Sequence, residues 1–249
     1  MTTDTIAAFT DVALARHVAD EAARLLRAIR HDGHDGARGD REANRLILDL
    51  LHAHRPDDAI LSEEAADDLT RLSSKRVWIV DPLDGTREFG EGRADWAVHV
   101  GLAIDHHAIS GAGALPALNE TMCSDAPRTF EIAPIPHHPR VLVSRSRPAA
   151  EALAVAEAIG GVLVPMGSAG AKAMAVVRGD AEIYLHSGGQ YEWDNCAPAA
   201  VAAANGLHVS RIDGSPMRYN NADPYLPDLL ICRPELANRV LAIVERLND

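Results

Sequence analysis

The stretch "RVWIVDPLDGTREF", residues 76–89, ends an apolar run with two aspartates, Asp81 and Asp84. The apolar residues predict a buried β-strand that ends at Asp81, and the Asp-Gly pair predicts a turn directly after it. Two carboxylates held so close together repel each other. A bound cation or a basic side chain is therefore expected beside them. The stretch predicts a strand that carries acidic side chains into a charged site.

Other acidic residues follow the same pattern at the ends of predicted elements. Glu63 comes after the short strand "AIL" (59–61), and Asp194 begins a predicted helix in "YEWDNCAPAAV". Mg²⁺ prefers oxygen ligands, and the backbone carbonyl of Leu83 could turn inward between the two aspartates as a further oxygen. Taken singly, each segment also fits a surface turn, a solvated edge or a helix N-cap. Their combination favours a site for hard divalent cations.

The first half of the chain predicts two helices packed on a largely antiparallel sheet. Apolar spacing predicts helices over residues 11–30 and from about Arg41 to His54, the second after the glycine-rich "HDGHDGARGD". Further strands are predicted at 95–104 and near 112–115 and 129–133. The proline-rich "APIPHHP" (133–139) is the expected linker, so an N-terminal α+β lobe is predicted over residues 1–135.

The second half, residues 136–249, alternates predicted strands and helices. Strands "RVLVS", "GVLVP", "AEIYLH" and "DLLIC" each precede a helix: 149–159, one ending near Arg178, one beginning at Asp194, and 234–247. This rhythm predicts a C-terminal α/β lobe with a mainly parallel or mixed sheet.

Composition narrows the class of protein. The chain has 249 residues, 47% hydrophobic and 24% charged, with a formal net charge of −12. Such a charge repels long nucleic acids, and no apolar stretch is long enough for a transmembrane helix. The N-terminus does not resemble a secretory signal, and three widely spaced cysteines suggest reduced thiols. A cytoplasmic protein without a membrane partner is expected.

Four separated motifs occur together: Asp40, "SEE" (62–64), "DPLDGT" (81–86) and "EWD" (192–194). In this order the chain resembles the inositol monophosphatase superfamily of Mg²⁺-dependent, lithium-sensitive phosphatases, over roughly residues 10–245. The resemblance implies an α/β fold of the five-layer αβαβα sandwich type. The Thr-Arg-Glu within "DGTREF" is most similar to the branch that removes the 3′-phosphate of 3′-phosphoadenosine 5′-phosphate. "VSRSR" (143–147) and "GSAGAK" (167–172) are similar to the same branch.

The resemblance also implies roles for individual residues. A first metal would be held by Glu63, Asp81 and the Leu83 carbonyl, and a second by Asp81, Asp84 and Asp194. Glu63 would also orient a third, loosely bound ion. The expected cofactor is thus two or three Mg²⁺, with Mn²⁺ as a possible substitute and Li⁺ as an inhibitor. Asp40, Glu63 and Thr86 would be catalytic, because Thr86 and Asp40 would together polarise the attacking water.

The resemblance implies a substrate side as well. The expected contacts are with Asp84, Gly85, Thr86, Arg87, Ser168, Lys172 and Asp194. Lys172 is expected to contact a substrate phosphate, with a solvated helix residue as the alternative, and Ser168 is expected to cap its helix. Two departures from the family pattern stand out. Arg38 occupies the region where a lysine often precedes the Asp40 equivalent, and Ser168 and Lys172 are four residues apart rather than three.

Other functions fit the sequence less well. A haloacid-dehalogenase-type phosphatase needs an Asp-x-Asp loop, but Pro82 and Leu83 separate the aspartates here. "DHH" (105–107) matches a motif of manganese-dependent phosphoesterases but fits a hairpin loop better. Inositol 1-phosphate and fructose 1,6-bisphosphate remain alternative substrates. A catalytically silent module that binds metal and nucleotide is the alternative of another class. A homodimer is possible.

Overall fold

In the computed structural model, which describes residues 9–125 and 134–248, helices and strands form two sheets with helical layers around them. The first sheet has the order β1-β2-β3-β4-β5 and is antiparallel apart from the parallel pair β1–β2. Its strands are β1 (Ala59–Ser62), β2 (Arg76–Asp84), β3 (Ala97–Ile104), β4 (His107–Leu115) and β5 (Glu120–Cys123). The helices of this half are α1 (Asp11–His31), α2 (Gly36–His54) and the short α3 (Thr86–Gly90).

The second sheet is mixed and has the order β7-β6-β8-β10-β9. Its strands are β6 (Arg140–Ser144), β7 (Val162–Met166), β8 (Ile183–Tyr191), β9 (His208–Ser210) and β10 (Tyr225–Cys232). β6 pairs in parallel with β7 and β8, whereas β10 is antiparallel to its neighbours. The helices are α4 (Ala150–Ile159), α5 (Ala169–Arg178), α6 (Glu192–Ala204) and α7 (Pro234–Asn248).

The layers follow from which helix faces are apolar. α1 and α2 have one apolar face each, and it packs on the outer side of the first sheet. α4 and α7 cover the outer side of the second sheet. α5 and α6 are buried nearly all round because they lie between the two sheets. The result is the five-layer αβαβα sandwich expected from the sequence.

α2 begins at Gly36, not near Arg41 as the sequence predicted. The glycines suggested a loop, but the Asp35 side chain accepts a hydrogen bond from the Arg38 amide (3.0 Å) and starts the helix earlier. A side chain at position 36 would come within 2.7 Å of the Thr86 methyl group. Gly36 therefore permits close approach of the helix to the "DGT" turn.

Other predictions of element boundaries also need correction. β2 continues to Asp84 instead of ending at Asp81, because Asp84 pairs with Ala97 after a bulge. α6 begins at Glu192, which makes Asp194 its third residue rather than its N-cap. The predicted strand at 112–115 is the end of the longer β4, and β5 and β9 were not predicted. The prediction for 129–133 lies outside the described residues.

Two further expectations concern segments between elements. Asp105 and His106 form the turn between β3 and β4, which confirms the hairpin interpretation of "DHH". Residues 134–139 carry no helix or strand, but the division into lobes at 135/136 stays a prediction. Within the described part of the chain, no helix is both long enough and apolar enough to cross a membrane.

Candidate active site

The turn after β2 directs the aspartates of "DPLDGT" into one place. Gly85 has a φ of 91°, a left-handed conformation that favours glycine. A side chain there would also press on the Cβ atoms of Ser168 and Trp96, each at 3.2 Å. The chain then enters α3 at Thr86. Asp84 and Thr86 therefore lie on either side of a turn that only glycine fits well.

Asp81 lies at the centre of a group of carboxylates. It is 1% exposed, and burial together with the neighbouring Glu63, Asp84 and Asp194 raises its pKa well above the usual value. Its own Oδ1 accepts a hydrogen bond from the Leu83 amide (3.0 Å). Four acidic side chains from three separate segments of the chain thus lie within electrostatic range of one another.

Glu63 and Asp194 reach this group from two different elements, the turn after β1 and the first turn of α6. Glu63 follows β1, in a turn held by the bond from Ser62 Oγ to Asn44 Oδ1 (2.8 Å). Burial, with Asp84 and Glu64 nearby, raises the pKa of Glu63. Asp194 Oδ2 accepts from the Tyr191 amide at the start of α6 (2.6 Å). Burial and then Asp84 raise the pKa of Asp194 to about 7.

Asp84 is held by the first turn of α5. Its Oδ2 accepts from Ser168 Oγ (2.5 Å) and from the Gly170 amide (2.6 Å), and its Oδ1 accepts from the Ala169 amide (3.2 Å). Ser168 Oγ also accepts from the Ala171 amide (3.0 Å), so Ser168 caps α5 as expected and orients Asp84 as well. The two carboxylate oxygens of Asp84 are thereby fixed in direction.

His99 on β3 was not recognised from the sequence. It is 0% exposed, its Nδ1 is 3.0 Å from the Trp193 carbonyl, and its Nε2 is 3.4 Å from Asp84 Oδ2. One ligand atom each of Asp81, Asp84 and His99 lie within 4.8 Å of one another. A lone histidine in a strand has no spacing signal that marks it as part of a site, so only the packing of β3 against α6 reveals it.

Thr86 and Asp40 are in contact. Thr86 Oγ1 is 3.2 Å from Asp40 Oδ2 and 3.2 Å from the Leu83 carbonyl, and its single proton can go to only one of them. Burial, and then the nearby Glu64, raise the pKa of Asp40 to about 7. The Leu83 side chain is buried while its carbonyl faces Thr86.

A cleft of about 400 Å³ opens beside Asp84 and Asp194. Predicted residues that line it are Asp84, Gly85, Arg87, Ser168, Lys172 and Asp194. Arg87 is exposed and bonded to Glu91 (2.9 Å). A larger groove of about 800 Å³ lies elsewhere, lined by Arg140, Glu182 and Arg233 among others.

Lys172 is buried, so the alternative that it is a solvated helix residue is wrong. Its Nζ donates to the carbonyls of Gly167 (2.9 Å) and Ser168 (2.6 Å), and burial lowers its pKa to about 8. Because both hydrogen bonds go to the turn before α5, Lys172 supports the segment that holds Asp84.

Two arginines from the end of β6 complete the cleft. Arg145 and Arg147 line it, and Arg145 is 2.7 Å from Glu88 and 3.0 Å from Glu91. These contacts tie the second sheet to α3. The repeated "SRSR" was noted in the sequence as similar to one enzyme branch, but its arginines were not singled out as site residues.

The donor set fits a hard divalent cation. Carboxylates whose pKa values are raised by burial and by one another are destabilised when ionised, and a bound cation relieves that repulsion. Glu63, Asp81, Asp84 and Asp194 and the Leu83 carbonyl would supply oxygens of the kind such an ion prefers.

Comparisons with known proteins agree with this arrangement. The model of the inositol monophosphatase family matches residues 7–248. The chain is 48% identical over 259 aligned positions to the "3′-phosphoadenosine 5′-phosphate phosphatase" of Mycobacterium leprae, covering 97% of this chain and 96% of that protein. It is 32% identical to the "3′(2′),5′-bisphosphate nucleotidase CysQ" of Escherichia coli, and the match covers 74% of this chain and 79% of that protein.

Solved structures are similar in fold. CysQ from Bacteroides thetaiotaomicron superimposes with a TM-score of 0.77 at 25% identity, covering 90% of this chain and 97% of that one. The inositol monophosphatase from Anabaena superimposes with a TM-score of 0.78 at 18% identity, covering 94% of this chain and 95% of that one. The layered fold and the gathered carboxylates agree with the family model, which matches nearly the whole chain. The chain therefore belongs to the inositol monophosphatase family.

Proposed function

We propose that this chain hydrolyses the 3′-phosphate of 3′-phosphoadenosine 5′-phosphate to give AMP and phosphate, with Mg²⁺ as cofactor. The observation that carries the chemistry is that Glu63, Asp84 and Asp194 all lie within electrostatic range of buried Asp81, and that ligand atoms of Asp81 and Asp84 lie within 4.8 Å of each other. The substrate choice rests on mycobacterial relatives named 3′-phosphoadenosine 5′-phosphate phosphatase, which are about half identical to this chain over nearly its full length.

Under this proposal the acidic residues divide as the family resemblance implies. Glu63, Asp81 and the Leu83 carbonyl would hold one Mg²⁺, and Asp81, Asp84 and Asp194 a second, with Glu63 orienting a third. Mn²⁺ would be a possible substitute. Bound cations would lower the pKa of a water molecule and neutralise charge on the phosphate. The fixed hydrogen bonds from α5 to Asp84 would keep that residue oriented through the reaction.

Thr86 and Asp40 would direct the attacking water. When Asp40 is ionised, the Thr86 hydroxyl donates to its Oδ2, and the lone pairs of Thr86 Oγ1 are free to accept from water. The water then presents its own lone pair to phosphorus, and its proton can pass through Thr86 to Asp40. A pKa of about 7 for Asp40 suits a group that gains and loses a proton near neutral pH.

The cationic side of the cleft would receive the substrate. Arg145 and Arg147 line it beside Arg87, so a second phosphate has local positive partners despite the net charge of −12. Ser168 and Lys172 would act mainly by shaping the turn between β7 and α5, because both are engaged in hydrogen bonds there. The expected partner is a small bisphosphate; dimer formation and a cytoplasmic location remain predictions.

The test is phosphate release from three substrates: 3′-phosphoadenosine 5′-phosphate, inositol 1-phosphate and fructose 1,6-bisphosphate. Each is assayed with Mg²⁺, with EDTA and with Mg²⁺ plus Li⁺. We expect the adenosine bisphosphate to be preferred, EDTA to abolish turnover and Li⁺ to inhibit it. Far higher efficiency with inositol 1-phosphate would overturn the substrate assignment but not the chemistry, and no release from any substrate would favour a silent binding module.

Asp84→Asn tests the proposed ligand role directly. We expect Mg²⁺-dependent turnover to fall by several orders of magnitude while circular dichroism stays native, because an amide is a poor ligand for a hard cation. Asp57→Asn, at an exposed aspartate in the turn before β1, is the matched control and should behave like the unaltered protein. Near-normal turnover by Asp84→Asn would refute the role.

A further inference from the structure

The four tyrosines of the chain divide sharply by exposure. Tyr184 and Tyr219 are each 1% exposed, whereas Tyr191 and Tyr225 are each 45% exposed and lie next to each other. Aromatic residues make up only 4% of this chain. Exposed aromatic rings gathered in one place are typical of a binding surface.

The rings around Tyr191 hold it in a fixed orientation. Tyr191 stacks on Trp193 with ring centroids 4.8 Å apart and planes 8° from parallel, and Tyr225 meets it edge-on at 6.0 Å. Trp193 is partly buried against the central core, and its carbonyl lies 3.0 Å from His99 Nδ1. The ring of Tyr191 is thus backed by an anchored tryptophan, so little conformational entropy remains to be lost when a ligand binds.

The chain around this cluster is shaped to allow it. Gly189 has a φ of 96°, and a side chain there would come within 2.5 Å of the Tyr225 ring. Position 189 therefore has to be glycine for Tyr225 to pack beside Tyr191.

Tyr191 also belongs to the catalytic cleft. It lines the 400 Å³ cleft together with Arg145, Arg147 and Asp194, and its amide donates to Asp194 Oδ2 (2.6 Å). A planar group attached to a phosphate ester through one sugar ring would extend from the carboxylates onto this part of the wall. The arginines lie in the same cleft and suit a second phosphate.

We propose that the exposed surface of Tyr191, backed by Trp193, stacks against the purine base of the substrate and is the main source of preference for a nucleotide over a base-free sugar phosphate. This inference rests on the proposed function, because it names the group that binds at one wall of that same site. Stacking needs only a π-surface, so the tyrosine hydroxyl is not required.

The test compares two bisphosphates that differ only in the base: 3′-phosphoadenosine 5′-phosphate and 1,4-anhydroribitol 3,5-bisphosphate. We expect Tyr191→Ala to lower kcat/KM for the adenosine compound about 10- to 100-fold, the range expected for one stacked base. The base-free compound should lose much less, so the ratio of the two values falls. Tyr191→Phe should keep the ratio, and Tyr225→Leu, which removes an equally exposed tyrosine at the edge, should change it far less than Tyr191→Ala.

Several outcomes would overturn the inference. Equal losses for both compounds in Tyr191→Ala would mean that the ring supports the site without binding the base. A change in sedimentation mass in Tyr191→Ala, with an unaltered ratio, would mean that the aromatic cluster is an interface between copies of the chain.

The proposed function can fail separately. If the unaltered protein released no phosphate from the adenosine bisphosphate, the function would fall, and calorimetry with AMP and ribose 5-phosphate would still test the base surface. If AMP binds more tightly than ribose 5-phosphate, and this difference is lost in Tyr191→Ala, the stacking role of Tyr191 is supported. Equal affinities for the two ligands would overturn it.

Discussion

Asp81 occupies a position that is unfavourable for an ionised side chain and useful for a cation site. It is buried beside Glu63, Asp84 and Asp194, and the resulting rise in its pKa means that the metal-free fold favours its protonated form. Asp58 shows the opposite case. Burial alone would raise the pKa of Asp58, but hydrogen bonds from Arg76 (2.8 Å) and Trp78 (2.9 Å) outweigh it and lower the pKa.

These two aspartates should therefore respond oppositely to amide substitution. We expect Asp81→Asn to raise the free energy of unfolding in EDTA by roughly 1–4 kcal/mol, because at pH 8 folding must either protonate Asp81 or bury its charge, and the amide removes that cost while keeping an acceptor for the Leu83 amide. Asp58→Asn should lower it, because it weakens a satisfied ion pair. Urea unfolding at pH 8 measures both, and destabilisation by Asp81→Asn would contradict the interpretation.

Gly170 lies so close to His99 that the position has no room for a side chain. A methyl group added there would come within 1.8 Å of His99 Nε2. We expect Gly170→Ala to cost about 1–3 kcal/mol of stability and to raise the Mg²⁺ concentration needed for half-maximal activity, because His99 and Asp84 must shift. Gly90→Ala is the control, since its nearest contact is an ordinary 3.9 Å. Equal behaviour of the two variants would refute the argument.

Among the elements, the starts of α5 and α6 carry most of the site. α5 holds Asp84 through Ser168 and two amides, and α6 presents Asp194 in its first turn. Glu192, at the first position of α6, accepts from the amides of Asn220 (2.6 Å) and Asn221 (2.8 Å). Both helices are thus fixed at the end that faces the carboxylates.

Removing the cap of α5 should have two effects. We expect Ser168→Ala to cost about 1 kcal/mol of stability, as for other N-caps. Because Asp84 is then held less firmly, we also expect the variant to need a higher Mg²⁺ concentration for half-maximal activity. Thr10→Ala is a matched control, because Thr10 caps α1 through Ala13 (3.2 Å) and touches no carboxylate of the site. A similar stability loss in both, with altered Mg²⁺ dependence in Ser168→Ala alone, is the expected result. Unaltered Mg²⁺ dependence in Ser168→Ala would contradict it.

At the scale of the molecule, the packing of two sheets around α5 and α6 gathers acidic groups from four separate elements. Asp40 and Asp194 have pKa values of about 7, and the pKa of Asp81 is also raised. The folded protein therefore holds protons that the unfolded chain, with ordinary carboxyl pKa values, has released. Stability from these groups is greatest at low pH and falls as pH rises through their folded pKa values.

Metal-free protein should accordingly lose stability between pH 6 and pH 8. We expect a fall of about 1 kcal/mol per pH unit in EDTA, because over this range the folded state still holds protons on Asp40 and Asp194 that the unfolded chain has released. Mg²⁺ should restore more stability at pH 8 than at pH 6, since it binds the ionised form. Asp194→Asn should flatten the slope in EDTA. A pH-independent stability in EDTA would rule out this coupling.

Much of the architecture was predictable because it depends on local patterns. Apolar spacing predicted α1 closely, and alternation of strands and helices predicted the mixed second sheet. The start of α2 was wrong because Gly36 was interpreted as a helix breaker, although its role is to let the helix approach Thr86. The sequence predicted that α6 begins at Asp194, two residues later than it does. The reason is that the Asp194 side chain caps the helix from inside its first turn.

The order and spacing of the motifs, through their resemblance to a known family, indicated the family and the acidic residues proposed for the site, because a resemblance of this kind depends on residue type and spacing along the chain. His99, Arg145 and Tyr191 entered the site only through the folded molecule. Their roles depend on distances between side chains far apart in sequence, and those distances arise when β3, β6 and β8 pack around α5 and α6. Local spacing carries no information about such contacts, so only the tertiary structure decides them.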